Sequence, residues 1–152
     1  DSPEVKKVLA HVYIQRDELS AAADLLYQAA LLDPSQLGEA AELYRRSGQT
    51  FRAMNLNSQL TNQEEKLRQR LALYLEMGSY EQAAAMEIPL RRVGLLAEED
   101  LRYAIAYSNF KTGDFAAAEQ HLAALNRPDL FRKAAELRRA IQDCAEDRWK
   151  CL

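Results

Sequence analysis

Small and apolar residues recur along this chain at steps of three and four, in paired segments divided by a tight turn. That period is the signature of amphipathic helices, and the pairing predicts helical hairpins. In the first copy Leu9, Ala10 and Tyr13 share one helical face. Ala22, Leu26 and Ala29 share the next, and Asp33-Pro34 closes the unit. The second copy carries Ala40, Ala41 and Tyr44, then Gly48, then Ala53. The third carries Leu71 and Tyr74, then Gly78 and Tyr80, then Ala83. The fourth carries Ile105 and Ala106, then Gly113-Asp114-Phe115, then Ala118, Leu122 and Leu125.

The residue types follow from packing. Alanine in the middle of one helix and early in the next lets the two axes approach closely. Glycine between them adopts the positive φ that ends a helix in a tight turn. Pro34 suits a first helical turn, with Asp33 as its N-cap. The pattern resembles tetratricopeptide (TPR) repeats, with a period here of roughly 30 to 35 residues against about 34 for the type. The resemblance implies an all-α fold: a right-handed superhelical, TPR-like solenoid of about four helical hairpins plus a C-terminal capping helix. The repeats are placed at about residues 3–34, 35–64, 65–95 and 99–128 of a domain spanning 1–143. The second and third copies depart from the pattern. Asn57 and Glu87 stand where a bulky apolar residue is usual, and Leu71 replaces a small one, so local distortion is expected there.

Residues 129–142 form one more amphipathic segment, read as the cap with a polar outer face that such arrays require. No comparable cap is visible at the other end, and the first residue is Asp1 rather than Met. The chain is therefore read as a fragment or processed form that lacks upstream repeats.

Composition narrows the function classes. The net charge is −3, which offers no basic footprint for nucleic acid. Apolar runs such as Ala29 to Leu32 fall far short of the roughly 20 residues that cross a bilayer, so no direct membrane insertion is expected. Both cysteines, Cys144 and Cys151, lie in a tail placed at 144–152. Two thiols this close suggest a disulfide stapling the tail, and hence an oxidising compartment. The alternative is two free thiols in a frayed cytosolic tail. Trp149 between them reads as a packing anchor. Zinc wants three or four ligands, and the only histidines, His11 and His121, are remote in sequence, so no metal site is expected.

No catalytic residues and no cofactor are expected. The chain has no phosphate-binding glycine loop, no nucleophile elbow and no His-Glu-x-x-His. Glu98-Glu99-Asp100 and Glu64-Glu65 sit at helix starts, where carboxylates complement the dipole. Arg91-Arg92 and Arg138-Arg139 read as solvated faces.

In a TPR solenoid the first helix of each pair lines a concave groove. Projecting those positions gives Lys7, His11 and Gln15, then Glu42, Arg45 and Arg46, then Arg68 with Ala72, then Tyr103, Tyr107 and Lys111. Arginine and tyrosine are favoured interface anchors, so this protein-binding groove suits an acidic or aromatic peptide segment. A groove left unused in a fragment, with the real site upstream, stands as the alternative. Lys7 matches one position of the carboxylate clamp by which TPR co-chaperones hold heat-shock proteins, but His11 stands where that clamp needs Asn.

Two further stretches carry a narrower resemblance. One runs from Tyr44-Arg45-Arg46-Ser47-Gly48 through Asn55-Leu56-Asn57-Ser58-Gln59-Leu60-Thr61 to Lys66-Leu67-Arg68-Gln69-Arg70-Leu71. The other runs from Glu99-Asp100-Leu101-Arg102-Tyr103 through Gly113-Asp114-Phe115 and Arg127-Pro128-Asp129-Leu130-Phe131 to Cys144. Together they resemble bacterial TPR proteins that accompany TonB–ExbB–ExbD energy-transduction systems. The resemblance implies a periplasmic protein-binding scaffold of Gram-negative bacteria, with TonB-system components as partners. A TPR module of an exopolysaccharide secretion apparatus and a cytosolic TPR adaptor or co-chaperone are the rival readings.

Overall fold

The structure, a computed structural model, describes residues 2–151. Asp1 and Leu152, the outer ends of the expected repeat domain and tail, lie outside the described residues. Among the described residues there are helices, turns and loops, and no strand. The chain is an all-α helical repeat. The helices follow along the chain as four pairs, each joined by a tight turn: α1 (Pro3–Gln15) with α2 (Leu19–Ala30), α3 (Leu37–Arg46) with α4 (Thr50–Asn57), α5 (Gln63–Glu76) with the broken pair α6 (Tyr80–Ala85) and α7 (Glu87–Arg92), and α8 (Glu99–Lys111) with α9 (Phe115–Ala123). The long α10 (Pro128–Glu146) follows them, and a short 3₁₀ turn spans Arg148–Cys151.

The same local chemistry closes each hairpin. Gly48, Gly78 and Gly113 have φ of 83°, 68° and 84°, and Asp17 holds the equivalent place at 59°. This left-handed residue lets the next amide reach back across the turn. Glu18, Gln49, Ser79 and Asp114 donate N–H to the carbonyls of Tyr13, Tyr44, Tyr74 and Asn109, at 2.9, 2.9, 2.8 and 2.8 Å. These are the six-to-one bonds of a Schellman ending, which satisfy carbonyls the helix leaves open. Four residues later Ala22, Ala53, Ala83 and Ala118 are each 0% exposed, and at Ala22, Ala53 and Ala118 a methyl group is all that separates the paired helices.

Contacts divide the chain into two compact units, residues 1–73 and 74–152. In the first, Ala10, Ala22, Ala41, Ala53 and Leu26 build a close-packed core with Tyr44 and Leu73. Asn57, at an apolar position of the pattern, is fully buried without distorting α4. Its Nδ2 donates to the Lys66 carbonyl at 2.9 Å and its Oδ1 accepts from Arg70 Nε at 2.7 Å. Gln69 in turn donates to the Gly38 carbonyl at 2.8 Å. A buried polar group is tolerated when its bonds are made, and here they strap the α4–α5 loop.

In the second unit α8, α9 and α10 share a core of Ala106, Ala118, Leu122, Leu130, Ala134 and Ile141. The distortion expected in the third copy is present, as a turn at Met86 that separates α6 from α7. Its cause is Pro89, which lacks the N–H that the Ala85 carbonyl would otherwise accept. The last helix runs past the expected end at 142 to Glu146, so Cys144 lies on its buried stripe rather than in a tail beyond it. Cys144 and Cys151 sit at disulfide distance, with Cα atoms 5.3 Å apart. Trp149 is 81% exposed, so it does not pack as an anchor; it lies on the outside of the short loop that the two cysteines close.

Candidate protein-interaction site

The first-helix residues of the first unit reach several separate surroundings. Lys7 and His11 line a cavity of about 190 Å³ with Gln36 and Glu39. The Lys7 ammonium is already engaged, 3.1 Å from Asp33. The Ser35 hydroxyl and the Lys7 ammonium together pull the Asp33 carboxyl down to about 2, so this carboxylate stays ionised at neutral pH. Gln15 Nε2 lies 3.2 Å from His11 Nε2. On α3, Arg45 and Glu42 form an ion pair within the helix. Arg46 instead borders a cavity of about 590 Å³ at the α1–α2 turn, with Asp17 and Glu18. Arg68 lies on the exposed face of α5, 3.9 Å from Glu64; Ala72, one turn further on, is half-buried.

The second unit brings two of its three expected residues, Tyr107 and Lys111, together. Tyr103, Tyr107 and Lys111 recur every four residues on α8. The Tyr107 ring meets Tyr80 edge-on, with centroids 5.8 Å apart. Lys111 Nζ stands over both rings, 5.6 Å from Tyr80 and 5.8 Å from Tyr107. Lys111 and Tyr80 line a cleft of about 420 Å³ with Ser79, Gln82 and Thr112. Tyr107 continues into a row of rings through Phe110, at 6.5 Å, and Phe115, at 5.9 Å beyond. Tyr103, one turn before Tyr107, meets Lys133 of α10 instead, with the ammonium 5.8 Å from its ring. Burial first, then the neighbouring Tyr107 and Glu136, raises its hydroxyl above the ordinary tyrosine range. The cleft thus offers an ammonium held on aromatic faces, beside small polar groups and the Glu81 carboxylate. That is the chemistry that grips a carboxylate with an apolar neighbour.

Three groupings were not visible as patterns in the sequence. Tyr80 joins the cleft from the start of α6, and the Gly78 turn is what aims it there. In the first unit Tyr44 donates its hydroxyl to Asp24 at 2.5 Å, under an Arg52 guanidinium 5.6 Å above its ring. These side chains line a cavity of about 480 Å³ between α2 and α4. Burial, followed by the Asp24 carboxylate, pushes the Tyr44 hydroxyl up to about 12. In the second unit His121 is buried between two partners. Arg102 can only donate, so its Nη1, 3.2 Å away, makes His121 Nδ1 an acceptor. The proton is then on Nε2, which donates to Glu87. The one signal for these groups was a charged or polar residue set inside an apolar run.

The acidic helix start at 98–100 also has a specific task. Glu99 Oε1 accepts the amides of Asn126 and Arg127 at 2.6 and 2.9 Å, and Asp100 pairs with Arg127 at 2.7 Å. Together they fix the entry to α10. Among the described residues no helix is long and apolar enough to cross a membrane.

No protein-family model matches the sequence, and no curated protein matches it. Among solved structures the chain is similar to a tetratricopeptide repeat protein from Parabacteroides merdae. Identity is 20%, the TM-score is 0.73, and the match covers 98% of this chain and 62% of that one. At that identity the likeness speaks for the fold alone. This chain spans less than two thirds of the length of the protein it resembles, and its fold is TPR-like.

Proposed function

We propose that the chain is a protein-interaction scaffold, and that it serves in the periplasm as an accessory component of a TonB-type energy-transduction system. The observation that carries the scaffold reading is the Tyr80–Tyr107–Lys111 cleft on a TPR-like helical repeat. Amphipathic rings supply contact area at low entropic cost, and the ammonium selects an acidic segment. The envelope location draws support from the Cys144–Cys151 pair, since such bonds persist in oxidising compartments. The TonB assignment rests on the sequence resemblance over residues 37–151. No catalytic residue is assigned, and the partners are proteins.

The test is direct binding of the purified chain to the periplasmic domains of TonB and ExbD, read by calorimetry. Lys111→Glu and Tyr107→Ala are expected to weaken binding by at least about tenfold, the loss typical of a truncated anchor. Helical circular dichroism should stay unchanged in Lys111→Glu, whose side chain is on the surface. Absence of binding to either domain overturns the TonB assignment. Binding that ignores both substitutions overturns the cleft.

A further inference from the structure

Among the described residues nothing covers four valine and leucine side chains of α1. Val5, Val8, Leu9 and Val12 are 64%, 69%, 42% and 36% exposed. Their spacing of three, four and seven places them in one stripe. Ala10, 1% exposed, marks the side of α1 that packs on α2, and the stripe lies on the opposite side. It floors an open apolar depression of about 460 Å³, bordered by Glu4. A contiguous apolar surface with this periodicity is what a helix buries against another helix.

The charges at its two ends say what that other helix is. Glu4 stands at the N-terminal end of the stripe and Arg16, one turn past Val12, at the C-terminal end; both are exposed. A second α1 laid parallel sets Glu4 against Glu4 and Arg16 against Arg16. A second α1 laid antiparallel sets each Glu4 beside the other copy's Arg16, and the valines between them interleave. The stripe is therefore self-complementary in charge and in apolarity, which is the requirement for an isologous two-fold contact.

We propose that two copies of this chain pair through α1 in antiparallel orientation, with Val5, Val8, Leu9 and Val12 as the seam and Glu4–Arg16 as a clasp at each end. The proposal is independent of the α8 cleft, so the failure of either leaves the other standing.

Light scattering on a sizing column, from micromolar to high-micromolar chain, is expected to show a dimer that dissociates on dilution. Val8→Glu, at the most exposed position of the seam, is expected to give a monomer with unchanged helical circular dichroism. Glu4→Arg alone and Arg16→Glu alone each set like charges together and should weaken the dimer by at least about tenfold. The double variant Glu4→Arg with Arg16→Glu should recover most of that loss. A wild-type chain that is monomeric throughout the range overturns the proposal. So does a dimer indifferent to Val8→Glu, or a double variant no stronger than the singles.

Discussion

At the scale of single residues, the hairpin turns and the buried polar groups carry the most testable consequences. A side chain at Gly48 meets nothing within 4 Å, so the cost of adding one is backbone alone. At φ of 83°, Gly48→Ala should lose about 1–2 kcal/mol in a urea melt, the left-handed penalty for an L-residue. Asp17→Gly, at the one non-glycine turn of the set, should leave stability within about 0.5 kcal/mol, because aspartate tolerates this region and glycine adds unfolded-state entropy. Glu87 makes a pH prediction. Burial alone would raise its carboxyl, but the His121 hydrogen bond and the Arg91 guanidinium outweigh burial and set it below the ordinary glutamate range. A group whose folded pKa is depressed stabilises the fold above its unfolded value, about 4.3, and that gain is lost as the pH falls through the lower folded value. The wild-type chain should therefore lose stability more steeply below about pH 4.5 than Glu87→Gln does, as measured by urea midpoints at each pH. Equal slopes would show that the ionised Glu87 carboxylate gains no net stabilisation from His121 and Arg91.

At the scale of elements, the hairpins were legible and the irregularities were not. Each of these turns announces itself through Gly48, Gly78 or Gly113 followed five residues later by a buried alanine, because one left-handed residue and one methyl group are what the geometry needs. Asp17 hid the first turn from a glycine search, although Ala10 and Ala22 on either side revealed its helices. The break at Met86 came from Pro89, a local backbone effect that hydrophobic period does not register. Of the expected groove, Tyr107 and Lys111 met because four-residue spacing on a helix guarantees it. Tyr80, and the pairs Tyr44–Asp24 and His121–Glu87, lie 20 or more residues apart from their partners. Their meeting depends on how one hairpin lies on the next, which spacing along the chain does not encode. The end of α10 gives this scale its own prediction. Closing the short Cys144–Cys151 loop removes about 2–3 kcal/mol of chain entropy from the unfolded state. Since Cys144 sits on the buried stripe, reduction should raise amide exchange over residues 141–151 first and leave α8 protected. Uniform loss of protection across the second unit would instead make the bond a determinant of the whole core.

At the scale of the whole molecule, a helical repeat differs from a globule in how far a local loss travels. Each hairpin buries its face mainly against its neighbours, so stability approximates a sum of local terms rather than one shared core. The buried clusters reflect this: Leu26 belongs to one centred on α2, α3 and α4, and Leu122 to another centred on α8, α9 and α10. They are 2% and 1% exposed, so Leu26→Ala and Leu122→Ala are matched substitutions in separate cores, each costing about 2–5 kcal/mol locally. In a repeat that sums local terms, hydrogen exchange should accelerate over residues 3–46 in Leu26→Ala and over residues 99–142 in Leu122→Ala. Each variant should leave the other region near its wild-type rate. A single cooperative core would instead spread either loss over both regions equally. The outcome bears on the binding readings as well. If losses stay local, the α1 seam and the α8 cleft are separable surfaces, and a substitution that empties one can be read without correcting for the other.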